Sequence, residues 1–502
     1  MTFSDPIFFL VFLPVAVVGF QLLGRFGRRS AIGFLAFVSI LFYAKWSIPY
    51  TGLLLGSILG NYLISIAIDR SSKRPSLQSF WLIAGIAANL GLLARYKYMA
   101  TLLTFFSQVT GGHREWFNAI LPLGISFFTF TQIAYLVDLK QGIAKREGLL
   151  NYTLFVTFFP HLIAGPIIHH KEMMPQFSQE RRYQLNRDDM ALGITWFTMG
   201  MFKKVMIADR ISPFADAFFA HPQSAGTFNA WAGVITYSMQ LYFDFSGYSD
   251  MAVGLARMFS IHFPLNFNSP YKSTNIIDFW NRWHMTLTRY VMDYVYSPIQ
   301  FAISRRRIDQ GKKVSRKASA TAEGFTQMIA LPTLFTLFLA GVWHGAGLQF
   351  LLYGLLHGAY ITTNHAWRIF VPAESRLKKL MTVPVSIGIT YVCVLVGEVL
   401  FRSPGLPAAS SVFAGMLGRH GAGTMTEGSQ IILLILLLSI VWLMPNTQEI
   451  LGQTRKDDEP NWSIVKALQW SPTLGWLAAT SVAFIISMFY SSSNATFLYF
   501  QF

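Results

Sequence analysis

Long apolar runs follow one another along nearly the whole chain, separated by short segments rich in basic residues, glycine or proline. They fall at 7–24, 31–46, 50–68, 79–94, 117–137, 191–208, 228–243, 383–401, 430–444 and 474–490. A helix rises about 1.5 Å per residue, so roughly 20 apolar residues cross a bilayer's hydrocarbon layer. The pattern predicts an all-α, polytopic membrane protein of about 11 to 14 spanning or re-entrant helices. It also predicts one membrane-embedded domain over 1–502, with a motif-bearing core at about 120–370 and C-terminal helices at about 380–502.

Breaks in the pattern are as informative as the runs. Residues 153–168 (T-L-F-V-T-F-F-P-H-L-I-A-G-P-I-I) place Pro160, His161, Gly165 and Pro166 inside an apolar stretch. Broken helices survive at membrane depth only where protein or a water-filled cavity satisfies the freed backbone groups. His161 is either a satisfied packing histidine or a functional one, and His169 and His170 are expected at the interface. The short piece 98–106 reads as re-entrant. In 275–296, Ile276, Trp280, Trp283, Leu287, Val291 and Tyr294 form one stripe, with Asp278, Arg282, Arg289 and Asp293 opposite. That predicts one amphipathic helix with His284 at the edge of its apolar face, either hydrogen-bonded structurally or acting on substrate. Between 242 and 259, Asp250, Gly254 and Arg257 share a helix face. Asp250 and Arg257 are about 10 Å apart along the axis, so each is expected to pair elsewhere, as an ion pair between helices or in function.

In 341–358, His344 and His357 lie within a strongly apolar, glycine-rich stretch. Ionisable side chains at membrane depth are costly and mark functional paths by default. Gly345 and Gly347 are expected to end one helix and turn the chain back, so that the two histidines converge only through that turn. The flanks of His357 suggest no polar partner, which points to packing.

Composition agrees with a membrane setting: 53% of residues are hydrophobic and only 13% charged, with a mean hydropathy of +0.41. The net charge of +16 sits in short loops, above all 304–317 (S-R-R-R-I-D-Q-G-K-K-V-S-R-K). This is the positive-inside pattern, with contacts to anionic membrane lipid rather than nucleic acid. It places 304–317 in the cytoplasm and His344 past the midplane, toward the outside. Asp5 and the missing small-residue cleavage site argue against a secretory signal in 7–24. The single cysteine, Cys393, excludes an intrachain disulfide and a multi-cysteine metal site. H-E-x-x-H, G-x-x-x-x-G-K-[ST] and G-x-S-x-G are all absent, so no metal site is expected and the chemistry falls to histidine. A neutral imidazole can take a proton from a hydroxyl, the base that acyl transfer to an alcohol requires.

The pieces Y-F-D-F-S-G-Y-S-D-M-A, N-F-N-S-P-Y, F-W-N-R-W-H-M-T-L, G-V-W-H-G-A, Y-G-L-L-H-G, M-P-N-T-Q-E-I and the terminal F-L-Y-F-Q-F resemble the membrane-bound O-acyltransferases. Within them they look most like the membrane subunit of alginate O-acetyltransferase and related polysaccharide acetylation proteins. The resemblance implies helices around a central tunnel, His344 as the catalytic histidine and His284 as a second catalytic candidate. Trp343, Asn281, Arg282, Trp283 and Asp250, inside the same motifs, become substrate-binding candidates. It further implies acetyl-CoA as acyl donor with no permanently bound cofactor, a polysaccharide acceptor, a periplasmic acetyltransferase partner and a bacterial inner-membrane location. D-alanyl transfer to teichoic acid is the alternative within the family, and a transporter or flippase the alternative outside it. Paired halves with matching broken helices, common in transporters, are not evident.

Overall fold

The computed structural model describes residues 2–103, 120–179, 186–423, 428–453, 466–491 and 497–498. Its main helices are α1 (Leu13–Gly24), α2 (Arg28–Ala44), α3 (Ile48–Arg70), α4 (Pro75–Lys97), α5 (Ile125–Lys140), α6 (Leu149–Thr157), α7 (Arg187–Phe202), α8 (Thr227–Met258), α9 (Ile276–Arg282), α10 (Met285–Val291), α11 (Leu331–His344), α12 (Leu348–Phe370), α13 (Val383–Arg402) and α14 (Leu474–Tyr490). No strand occurs among the described residues, as the apolar pattern predicts. Among the described residues four helices are long and apolar enough to cross a membrane: Ile48–Arg70, Pro75–Lys97, Ala322–His344 and Val383–Arg402. Shorter apolar helices cover Phe8–Gly24, Leu406–Met416, Gly428–Leu443 and Leu474–Tyr490. The last three residues of the expected re-entrant piece 98–106, and the start of the run at 117, lie outside the described residues.

Two compact units emerge. The first comprises Met1–Met206, Phe245–Leu265 and Ser471–Gln501; the second comprises Ile207–Asp244 and Asn266–Trp470.

In the first unit α3 and α4 bury small and polar positions beside a few leucines and isoleucines and turn other apolar side chains outward. α4 buries Gly85, Asn89 and Leu93, spaced four apart, while Ile83 is 65% exposed. α3 buries Thr51, Asn61 and Ser65. Asn61 and Asn89 donate to each other's amide oxygens at 3.2 and 2.6 Å. Gln132 donates to Ser57 at 3.0 Å and accepts from Tyr152 at 3.2 Å. Where lipid competes equally for apolar surface, close packing and interhelical hydrogen bonds hold helices together.

The interrupted stretch 153–168 is broken as its prolines require: α6 stops at Thr157, and a four-residue helix, Phe159–Leu162, follows. His161 donates from Nε2 to the Phe155 carbonyl at 2.9 Å, the satisfied packing arrangement. His169 and His170 are not interfacial. Both are buried, His170 with its ring 4.8 Å from Tyr135 and 5.5 Å from Phe155. Polar composition alone placed them at a surface that the surrounding aromatics in fact cover.

The run at 228–243 and the motif after it are one 32-residue helix, α8. In the first unit its C-terminal part meets α7 backbone to backbone. A Cβ on Gly200 would lie 2.5 Å from the Gly247 carbonyl oxygen, and one on Gly254 2.6 Å from that of Gly193. Ion pairs flank this seam. Asp250 accepts from Lys203 Nζ at 2.7 Å and from Trp196 Nε1 at 3.1 Å, and Arg257 reaches Asp189 at 2.8 Å. The two charges on the α8 face therefore pair elsewhere, as their separation required, and both pairs join helices. Asn186 caps α7 by accepting from the amides of Asp188 and Asp189.

Burial alone would raise the Asp189 carboxyl, but hydrogen bonds and charge from His262 and Arg257 outweigh it and lower the pKa from 3.8 to about 2. A carboxyl depressed on folding stabilises the protein above its unfolded pKa, and that contribution disappears as pH falls through the folded value. The melting temperature of the solubilised protein is expected to fall between about pH 4 and pH 2. In Arg257→Gln, which removes one of the groups holding that carboxyl down, this acid-dependent loss is expected to be smaller.

Candidate functional site

The R-W-H motif does not sit on one continuous helix. α9 ends at Arg282, Trp283 is extended, and His284 takes a left-handed conformation with φ 45° and ψ 50° before α10 begins. The single amphipathic helix expected over 275–296 is thus corrected to two short ones with a corner between them. Left-handed backbone costs a non-glycine residue about 1 kcal/mol or more and persists only where its surroundings fix it.

Asn266, from the N-F-N-S-P-Y loop, supplies that fixation. Its Oδ1 accepts from the Thr286 amide at 3.3 Å, the Thr286 hydroxyl at 2.8 Å and His284 Nδ1 at 3.0 Å. The backbone N–H identifies this atom as oxygen, so His284 carries a hydrogen on Nδ1, and Nε2 is the basic nitrogen of the neutral ring. The loop also pairs Met285 N with Asn266 O and Asn268 N with Arg282 O, both at 2.9 Å.

The M-P-N-T-Q-E-I segment closes the other side of the same loop. Asn446 donates to Asn268 at 3.0 Å and Ser269 at 2.8 Å; Gln448 donates to the Phe267 carbonyl at 2.8 Å. Asn446 and Glu449 form a capping box. Lys272 donates to the Met444 carbonyl at 2.7 Å. Burial lowers the Lys272 ammonium below the usual lysine range, Glu449 opposing the shift and Arg282 adding to it.

α11 and α12 form the hairpin that the glycines predict. α11 ends at His344, Gly345 is extended, and α12 starts at Leu348. The two helices touch along small residues: a Cβ on Gly341 would lie 2.4 Å from the Phe350 carbonyl oxygen, and one on Gly354 2.3 Å from that of Leu337. The return brings both histidines onto Tyr353, whose ring centroid is 5.7 Å from His344 and 4.6 Å from His357. His357 does have a polar partner, contrary to the expectation from its flanks. Trp280 Nε1 donates to its Nδ1 at 3.3 Å, so the neutral ring carries its hydrogen on Nε2.

A cavity of about 300 Å³ opens within the second unit. Its walls include His344, Tyr353, Trp280, Asn281, Tyr296 and His365. Along α11 it reaches from Thr333 to His344, eleven residues or about 16 Å. Of the sequence candidates, His344 and Asn281 are on this wall.

The other candidates are placed differently. Trp343 is buried against the His344 ring, with centroids 4.7 Å apart. Arg282 donates to Asp278 at 2.9 Å, and Trp283 stacks on Phe279 at 5.7 Å. His284 is buried in the Asn266 corner. Asp250 belongs to the first unit and its ion pair with Lys203. Among the described residues no group of three or more His, Cys, Asp or Glu could hold a metal ion.

One charged residue beside this site escaped the sequence reading. Glu398 on α13 is 5% exposed and accepts from the Tyr271 hydroxyl at 3.3 Å. The available signal was that it is the only acid in the run 383–401.

Comparison with known proteins adds an independent line. The family model for membrane-bound O-acyltransferases (MBOAT) matches residues 89–308. A peptidoglycan O-acetyltransferase from Helicobacter pylori is 34% identical, over 100% of this chain and 98% of the relative. A probable alginate O-acetylase, AlgI, from Pseudomonas aeruginosa is also 34% identical, over 83% of this chain and 75% of its own. A teichoic acid D-alanyltransferase from Bacillus subtilis is 29% identical, over 72% and 88%.

Asn266→Ala removes an acceptor from three donors, two of them beside a strained backbone. It is expected to lower stability by about 1–3 kcal/mol, read as a drop in the midpoint of unfolding in detergent. Asn266→Asp, which keeps the acceptor oxygen, is expected to lose less.

Proposed function

The chain belongs to the membrane-bound O-acyltransferase family and is a multi-pass membrane acyltransferase, and from that premise we propose that it passes an acetyl group from cytoplasmic acetyl-CoA toward hydroxyls of an extracytoplasmic polysaccharide. The observation that carries this reading is the position of His344, at the last residue of the Ala322–His344 span and on the cavity wall. Twenty-three helical residues extend about 34 Å, with the basic segment 304–317 just before their start. With that segment in the cytoplasm, the cavity leads away from the donor side, and His344 stands where an acceptor from outside would meet the acyl group.

In this reading His344 takes the proton of the attacking hydroxyl as its oxygen adds to the thioester carbonyl, and the departing thiolate receives a proton as the carbon–sulfur bond breaks. Asn281 shares the wall and is a hydrogen-bonding group for the substrate. His284, held with its basic Nε2 set by Asn266, is the second histidine of the reaction, and Trp343 fixes the His344 ring from behind. Arg282 and Trp283 serve through the corner they build. Asp250, paired with Lys203 and Trp196, serves by holding its helix pair together.

The acceptor is a polysaccharide hydroxyl, reached through a periplasmic acetyltransferase partner at a bacterial inner membrane. Support comes from the relatives named for peptidoglycan and alginate, which are more similar than the D-alanyltransferase and, in the peptidoglycan case, match from end to end.

The test is thioester cleavage by purified protein given labelled acetyl-CoA and an acceptor or partner. His344→Ala is expected to lose about 10²- to 10⁴-fold in rate, with membrane insertion and yield unchanged. A His344→Ala protein that still acetylates at the wild-type rate would overturn the assignment.

A further inference from the structure

α13 runs past the cavity with its last turn and a half turned inward. A Cβ on Gly397 would lie 2.4 Å from His357 Nε2. Phe401 sets its ring against His344 and Tyr353, with centroids 5.0 and 5.2 Å away. Between these two residues is Glu398.

A purely structural acid in such a place has both oxygens occupied. Glu398 does not: Oε1 accepts from Tyr271, while Oε2 is buried without a hydrogen-bond partner. No Lys, Arg or His among the described residues forms an ion pair with it. Arg402, one turn along α13, is directed to Asp216 at 2.7 Å. The groups around the Glu398 carboxyl are Ser238 and Tyr237 on α8, Tyr271 in the loop, Tyr353 on α12 and Tyr391 on α13 itself. His357 stands behind Gly397. Of these, Tyr353 lines the cavity and touches the His344 ring.

Ionisable side chains are retained in spanning helices at a cost, and the default reading is function. We propose that Glu398 is a positioning residue for acyl transfer, acting through the turn of α13 that carries it, whose Gly397 and Phe401 pack against His357 and against the His344 and Tyr353 rings of the cavity wall. The inference rests on the acyltransfer reading of this cavity. Glu398 touches neither substrate nor the reacting atoms. It holds the Tyr271 hydroxyl at 3.3 Å, and its carboxyl can give or take one proton as the His344 side of the cavity changes charge.

The experiment compares Glu398→Gln, Glu398→Asp and His344→Ala with wild type, in the same thioester-cleavage assay. Glu398→Gln keeps an acceptor for Tyr271 but cannot ionise. It is expected to melt with the wild type, to lose about 10- to 100-fold in kcat with little change in KM, and to displace the pH–rate profile. Glu398→Asp is expected to recover part of kcat and the wild-type pH profile. Wild-type kcat and pH profile in Glu398→Gln would overturn the proposal, and so would failure of that variant to fold, which assigns the residue to structure alone. If His344→Ala stays active while Glu398→Gln is impaired, the reading of His344 fails and the role of Glu398 does not.

Discussion

A polar group taken out of water must find its partner inside the protein, and that requirement organises this molecule more than its apolar content does. The apolar side chains can face lipid at little cost, so they do not choose among arrangements. The asparagines, glutamines and histidines do. Asn61 needs Asn89, Gln132 needs Ser57 and Tyr152, and His284 needs Asn266. Each pairing joins segments that are far apart in sequence and admits only one registration between them.

The second unit shows the principle at its densest. A loop of a few residues, 266–271, receives hydrogen bonds from the R-W-H corner on one side and from 446–448 on the other. Motifs that look like separate landmarks along the chain are one polar joint. The joint holds His284 with its Nε2 as the basic nitrogen. It fixes the backbone corner from which Trp280 and Asn281 reach the cavity, and Trp280 in turn sets the tautomer of His357.

What could be read from the sequence follows from the range of the forces involved. The helix ends at Gly345–Gly347, the break at Pro160 and the outward pairing of Asp250 and Arg257 are local consequences of glycine, proline and helical periodicity, and all three were legible. The corner at His284 was not, because periodicity assumes a continuous helix and only a distant asparagine holds the strained residue. The burial of His169 and His170 and the Trp280 partner of His357 depend on neighbours remote in sequence. Glu398 is a lone acid near a helix end in the sequence, and its setting depends on aromatic groups that remote segments bring around it. The candidates His344 and Asn281 share a cavity wall; Asp250 came in with a motif and is bound up in holding two helices together.

The glycine seam between α11 and α12 has a mechanical side. Helices that touch through long side chains can slide as those chains change rotamer, but a seam of backbone on backbone has no such give. Its corrugations match at one setting, and the next lies a whole helical step away. His344 and His357, one on each side of the seam and both against Tyr353, are therefore carried like two teeth on a single stiff fork. A disturbance that tilts one helix moves both rings together, and the spacing between them is preserved while the fork as a whole shifts in the wall of the cavity.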